Sequence, residues 1–145
     1  MNKAYFFFLI LLISSCRQKI TQQDIEKLNG YWEIEKVVFT NGKEKKYAVN
    51  ETFDYIQIKD NKGFRKKVTP QFDGTFLVDN QSEQLTVMVE NDKTYLSYST
   101  SYSKWKEELL SISNEKMTII NSDTITYNYK KAKPINLLED GKKTK

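Results

Sequence analysis

The sequence predicts an all-β protein, built as a sandwich or an antiparallel up-and-down barrel of about eight or nine short strands behind a short helix. Three observations lead there. Apolar and aromatic residues recur in short alternating runs, the period of a half-buried strand. Asn, Asp and Gly punctuate these runs at intervals of about ten residues, as hairpin turns do. No stretch between them is long and helical enough for a βαβ crossover, and nothing repeats with the fixed period of a propeller or solenoid.

The chain opens with a short basic head, Met1-Asn2-Lys3, and an uncharged apolar run from Ala4 to Ile13. That run is too short to span a bilayer and suits the core of a signal peptide. It ends in Ile13-Ser14-Ser15-Cys16, which resembles a bacterial lipobox, with Ile13 and Ser15 standing where Leu and Gly or Ala are usual. The resemblance implies that residues 1–15 are removed and that Cys16 carries the lipid on its thiol and its new amine. Cys16 is also the only cysteine, and a lone cysteine in an exported protein otherwise needs another explanation. Two or three acyl chains make a durable membrane anchor, where one alone would be marginal. Arg17 rather than Asp follows the cysteine, and by the resemblance to bacterial lipoproteins this implies the outer membrane, facing the periplasm.

Residues 16–24 then read as anchor and tether, 25–133 as one β domain, and 134–145 as a tail. Thr21 to Asn29 reads as a short helix capped by Thr21, with Asp24 and Glu26 in its first turns and Ile25 and Leu28 on one face. Gly30 allows a sharp entry into a strand running to Phe39, whose alternation sets Trp32, Ile34 and Val38 on one side and Glu33, Glu35 and Val37 on the other. Phe53 to Ile58 follows, with a turn at Asp60-Asn61-Lys62-Gly63 leading to Phe64 to Thr69, which Pro70 limits. Asp73-Gly74 turns into Thr75 to Val78. Gln84 to Glu90 turns at Asn91-Asp92-Lys93 into Thr94 to Thr100. Trp105 to Ser113 turns at Asn114-Glu115 into Lys116 to Ile120. Thr124 to Lys130 is the last strand, with Ile125, Tyr127 and Tyr129 on one face. Beyond it, Ile135, Leu137 and Leu138 are candidates to dock on the domain.

Leu28-Asn29-Gly30-Tyr31-Trp32, ahead of a meander that ends in Trp105 to Ile112 and the Tyr-rich Thr124 to Lys130, resembles the Gly-X-Trp opening of the lipocalins. The abbreviated form is similar to that of small bacterial lipocalin-like lipoproteins. The resemblance extends over roughly Ile25 to Lys133 and implies a closed barrel of about eight strands. A barrel of that size is either filled by its own side chains or wide enough for one small ligand.

The chemistry on offer is narrow. With no histidine and its single cysteine assigned to lipid, the chain lacks the parts of a Ser-His-Asp or Cys-His centre and of the usual zinc sites. Ser101-Tyr102-Ser103-Lys104 and Ser113-Asn114-Glu115-Lys116 fit a Ser-X-X-Lys pattern, but both fall at strand ends rather than at a helix start. Glu107 and Glu108 point to opposite faces and cannot act as an acid–base pair. Asp54, Asp60, Asp79 and Glu90 fall mostly beside turns, where carboxylates shape the backbone. The basic runs at 43–46, Arg65-Lys66-Lys67 and 130–131 read as solvated faces, and the net charge of +4 is too mild to suggest nucleic acid.

Aromatics are 13% of the chain, and Trp32, Phe53, Tyr55, Phe76, Tyr95, Trp105, Tyr127 and Tyr129 all fall in predicted strands. As barrel core they need no function; as a lining, Trp32, Phe53, Tyr55, Phe76, Tyr95, Trp105 and Tyr127 would grip a small apolar molecule. The expectation is therefore a lipid-anchored, non-enzymatic protein of the cell envelope that carries such a ligand, without cofactor or metal. The alternative is a protein-interaction module, an assembly factor or enzyme inhibitor, with a filled barrel and an exposed apolar patch.

Overall fold

The structure is a computed structural model and describes residues 19–78 and 80–133. Cys16, the segment 1–15, Asp79 and the tail 134–145, with the expected docking of Ile135, Leu137 and Leu138, lie outside the described residues.

A short helix, α1 (Gln22–Glu26), precedes ten strands: β1 (Gly30–Val38), β2 (Glu44–Lys46), β3 (Phe53–Lys59), β4 (Lys62–Pro70), β5 (Phe76–Val78), β6 (Glu83–Glu90), β7 (Lys93–Ser99), β8 (Lys104–Ile112), β9 (Lys116–Ile120) and β10 (Thr126–Lys131). Antiparallel pairing runs β10-β9-β8-β7-β6-β4-β3-β1, and β1 pairs back with β10 to close an eight-strand barrel. β2 and β5 stand off the wall as short flaps, β2 on β1 and β5 on β4. Such three-residue strands leave little free edge for unwanted pairing. The 43–46 charge run, expected only as a solvated face, supplies β2.

Two hairpins are tied by two-residue turns with positive φ at both positions, Asp60-Asn61 and Asn91-Asp92, the type I′ geometry that matches strand twist. Lys62 and Gly63, expected in the first turn, belong to β4. Gly63 is there for space: a Cβ would lie 1.9 Å from the Gln57 carbonyl oxygen.

The helix closes one end. Thr21 and Asp24 form a reciprocal capping box, which satisfies two N-terminal donors. Ile25 and Leu28 dip into the barrel, and the indole N–H of the wholly buried Trp32 donates to the Leu28 carbonyl at 2.7 Å. Lys131 crosses the seam to donate to the carbonyls of Lys27 and Asn29, with its ammonium 4.3 Å from the Trp32 ring centre.

The alternation expected along β1 fails at one point. A bulge between Ile34 and Lys36 advances the strand by a residue, so Val37 turns inward and is buried while Val38 does not. Inward positions then read Trp32, Ile34, Val37, Ile56, Ile58, Leu85, Val87, Leu96, Tyr98, Leu109, Met117, Ile119 and Tyr129, most of them one contiguous buried cluster.

Candidate functional site

Strand direction sorts the interior into two ends. Near α1 lie Trp32, Ile58, Val87, Leu96, Leu109 and Met117, all apolar and buried. Farther from α1 the same inward rows carry charge: Asp54 on β3, directly across the ladder from Trp32, Arg65 and Lys67 on β4, Glu83 on β6, and Glu107 on β8, across from Leu96. The reason is register, since Asp54 faces Lys67, Ile56 faces Arg65, and Arg65 faces Glu83 across the ladder. Residues directly opposite share a face, so these groups are committed to the lumen together.

Arg65 is the centre of this cluster. Its Nε donates to Glu83 at 2.5 Å, its Nη1 lies 3.6 Å from Glu107, and its guanidinium lies 4.1 Å from the centre of the Tyr98 ring. β4 and β8 are three places apart round the wall, so the Arg65–Glu107 contact crosses the lumen. Tyr98 is buried, stacks on Trp105 with ring centres 5.3 Å apart, and its hydroxyl donates to Glu107. Burial pushes the Glu107 carboxyl above its ordinary value, against the pull of Arg65 and the Tyr98 hydroxyl. Burial likewise raises the phenols of Tyr98 and Tyr129, which stay neutral.

Asp54 is 3% exposed and meets Lys67 Nζ at 2.5 Å. That contact is an ion pair without hydrogen-bond geometry: Asp54 Oδ1 and Glu107 Oε2 are buried oxygens that accept no hydrogen bond. Asp54 also lines a cleft of about 360 Å³ with Trp32, Ile34, Tyr47, Asn50 and Thr52. The cleft exists because β3 accompanies β1 only from Gly30 to Trp32; above that level β1 pairs with β2 instead, leaving a gap bridged by residues 47–52. Asn50 pins that bridge by donating to the Ile34 carbonyl at 2.8 Å.

The seven aromatic candidates divide. Trp32, Trp105 and Tyr127 face inward: Trp32 at the helix end, Trp105 and Tyr127 toward the other. Phe53, Tyr55 and Phe76, expected as lining, lie outside the wall. There they join Tyr31, Val68 and Ala132 in a second cluster, with Tyr31 stacked on Phe76 at 4.1 Å and 4.7 Å from Tyr55. Parity explains it: Asp54 and Ile56 take the inward positions of β3, so their odd-numbered neighbours point out. Tyr95 is also outside, opposite Met88 and Glu108, with the Lys106 ammonium 4.4 Å from its ring centre.

Two further expectations are corrected. Arg65 does not share a solvated face with Lys66 and Lys67, and Asp54 shapes no turn; both are buried within strands. Arg65 faces inward because the ladder sets it opposite Ile56, two residues on from Gly63. Glu33 and Glu35 point outward, to Lys130 at 3.2 Å and Lys116 at 2.6 Å. Ser113 accepts from the backbone of Glu115 and Lys116, the work of a turn residue. No group of three or more acidic, His or Cys side chains able to hold a metal occurs among the described residues.

On the outer wall, residues 48–51, Phe53, 69–72, Lys130 and Lys133 bound a groove of about 700 Å³, where Val49 and Phe72 are 85% and 91% exposed. Leu77 and Val78 of β5 extend the apolar surface nearby.

The model of the lipocalin-like domain matches residues 28–119. Among solved structures, a lipocalin-like protein from Bacteroides uniformis ATCC 8492 is similar at 10% identity, covering 73% of this chain and 99% of that one, with a TM-score of 0.47. An uncharacterized protein from Bacteroides eggerthii DSM 20697 is similar at 13% identity, covering 72% and 99%, with a TM-score of 0.46. No curated protein matches the chain. The family match begins at Leu28, against which Trp32 is hydrogen-bonded, and runs to Ile119 in the next-to-last strand of a closed antiparallel barrel, and by it the chain belongs to the lipocalin-like domain family.

Proposed function

We propose that this is a lipid-anchored, non-enzymatic binding protein of the cell envelope that takes a small molecule at the side cleft near the charged end of its barrel. The observation that carries the reading is the buried Asp54 carboxylate, which lines a cleft about 360 Å³ in volume and is paired there with the ammonium of the half-exposed Lys67. A carboxylate held in the wall and met by a side chain from the rim is a group that a ligand donor could take over. The volume falls within the range of about 300–1,000 Å³ for small-molecule sites. The barrel axis is a poorer candidate, because Arg65 spans it and Trp32, Leu96 and Tyr98 fill it.

The anchor rests on the lipobox-like segment before Cys16, and the outer membrane on Arg17. Intact mass after detergent extraction is expected to show loss of residues 1–15 and gain of acyl chains. A Cys16→Ser chain that is still cleaved normally and still held by the membrane would remove the anchor from this reading.

For the cleft, the test is a small molecule that co-purifies with the gently extracted native protein and is lost from Thr52→Trp, which fills the cleft from its rim. Equal recovery from both forms would overturn the site. A second reading, a protein-interaction module, is favoured by the outer groove with its exposed Val49 and Phe72. It would replace the first if no compound co-purified and Phe72→Ser alone abolished the protein's effect in the envelope.

A further inference from the structure

The side cleft holds an ammonium group already. Lys67 brings its Nζ to Asp54 Oδ1 from a side chain that is 55% exposed, while Asp54 itself is 3% exposed. One partner of this pair is fixed by the wall and the other swings in from the rim. Such an ion pair is easily exchanged, because the lysine recovers its hydration on leaving and the carboxylate does not. Once Lys67 leaves, the buried Asp54 carboxylate favours a cation as the replacement, and Glu51 on the rim adds to it, with Arg65 already engaged by Glu83 and Glu107 and the Lys131 ammonium held by carbonyls beside Trp32. Beside the carboxylate, the half-buried Ile34 and Tyr47 offer aliphatic and aromatic surface to a hydrocarbon body. A metal ion fits poorly, since among the described residues no group of three carboxylate, imidazole or thiolate ligands gathers at Asp54.

We propose that the cleft is a site for a small organic ammonium ion, which pairs with Asp54 in the place Lys67 now holds and lays its apolar body against Ile34 and Tyr47. This rests on the side-cleft reading above and adds the chemical class of the ligand. Lys67 then acts as a built-in competitor, present at the effective concentration of a tethered group.

Phenethylammonium, phenethyl alcohol and phenylacetate, matched in size and differing in charge, are titrated into the full-length chain in detergent. Binding is read from the Trp32 indole N–H resonance in ¹H–¹⁵N spectra. Only phenethylammonium is expected to shift that resonance saturably. Lys67→Met is expected to tighten its binding roughly tenfold by removing the competitor, and Asp54→Asn to weaken it at least about tenfold. The opposite effects of two substitutions at one ion pair cannot come from lost stability alone. If Asp54→Asn fails to fold, Lys67→Met decides, because its side chain is half outside. Unchanged or weaker ammonium binding in Lys67→Met would overturn the inference. Saturable binding of the alcohol or the acid, but not the amine, would overturn it while leaving the side cleft standing as a site. No saturable shift with any probe, in the parent chain or in Lys67→Met, would overturn both.

Discussion

The two ends of the barrel are built from the same strands and solve opposite problems. The helix end is filled with Trp32, Leu28, Ile58, Leu96 and Met117, which need nothing from one another but shape. Of its polar atoms, the Trp32 indole nitrogen is bonded to Leu28 and the Lys131 ammonium to the carbonyls of Lys27 and Asn29. The other end sets Arg65 against Glu83, Glu107 and Tyr98, and Asp54 against Lys67, and still leaves two carboxylate oxygens without a hydrogen bond. Apolar packing stabilises directly by removing surface from water, whereas buried ion pairs barely offset their desolvation. Stability in this fold therefore belongs to the helix end. The charged end holds its carboxylates mainly through ion pairs, and two of their buried oxygens lack hydrogen-bond geometry.

That division can be broken experimentally. Trp32→Ala is expected to have the largest effect, a loss of about 3–5 kcal/mol in denaturant unfolding, the usual range for a large buried aromatic. A loss below about 1 kcal/mol would mean that the helix end does not hold the barrel together. Arg65→Met comes next, at about 3 kcal/mol, because it leaves carboxylates buried without their counter-charge. The estimate is at the low end because the Glu83 side chain keeps 28% exposure and can turn to water. Adding Glu107→Gln to Arg65→Met sharpens the point, since removing both charges should restore much of the loss. If the double substitution is worse than the single one, the pair is a net stabiliser and the contrast between the ends fails.

A smaller effect is a pH dependence with a definite sign. Burial raises the folded-state value of Glu107 above its ordinary 4.5, so the unfolded chain loses that proton first as pH rises. The contribution is present in full below the ordinary value and is lost as pH climbs through the folded one. Asp24, Glu35 and Asp73 have lowered values and act in the other direction, losing their contribution as pH falls. The clean observable is the difference between parent and Glu107→Gln, which should grow from acid toward neutral pH in favour of the variant's relative stability. A flat difference would show that Glu107 titrates as an ordinary surface acid. Smallest of all, Tyr95→Ala should stay within about 0.5 kcal/mol of the parent, because this ring lies on the outer wall. A larger loss would place Tyr95 in a core it does not occupy.

Much of the architecture was legible because its signals are local. Hairpin turns such as Asn91-Asp92 are written in two residues, and the Thr21 cap in four. The role of Trp32 followed from its place after a short amphipathic helix. What could not be read was the side of the wall on which a ring falls when a strand has apolar residues on both faces. β3 is the case in point: Phe53 and Tyr55 looked like lining, but β5 and Tyr31 cover that face outside, while the charged Asp54 goes in. The usual rule that apolar residues mark the interior failed there because there are two interiors. The bulge at Ile34–Lys36 hid Val37 for a related reason, since one extra residue inverts every later position. Arg65 was hidden by its neighbours, as a run of three basic residues looks solvated until the ladder separates its members.

The seam between β1 and β10 has a mechanical consequence. It joins the two ends of the domain, and because the strands are antiparallel, the chain enters at Trp32 and leaves at Lys131 side by side. A force drawn out through both termini would load the rungs one after another, peeling the seam open like a zip, rather than loading all of them together in shear. The ammonium of Lys131, fastened to the carbonyls of Lys27 and Asn29, sits at the first tooth. Pulled in an optical trap by its ends, the domain should thus give way at low force, and Lys131→Met at lower force still, although the same barrel resists denaturant through the packed end beneath.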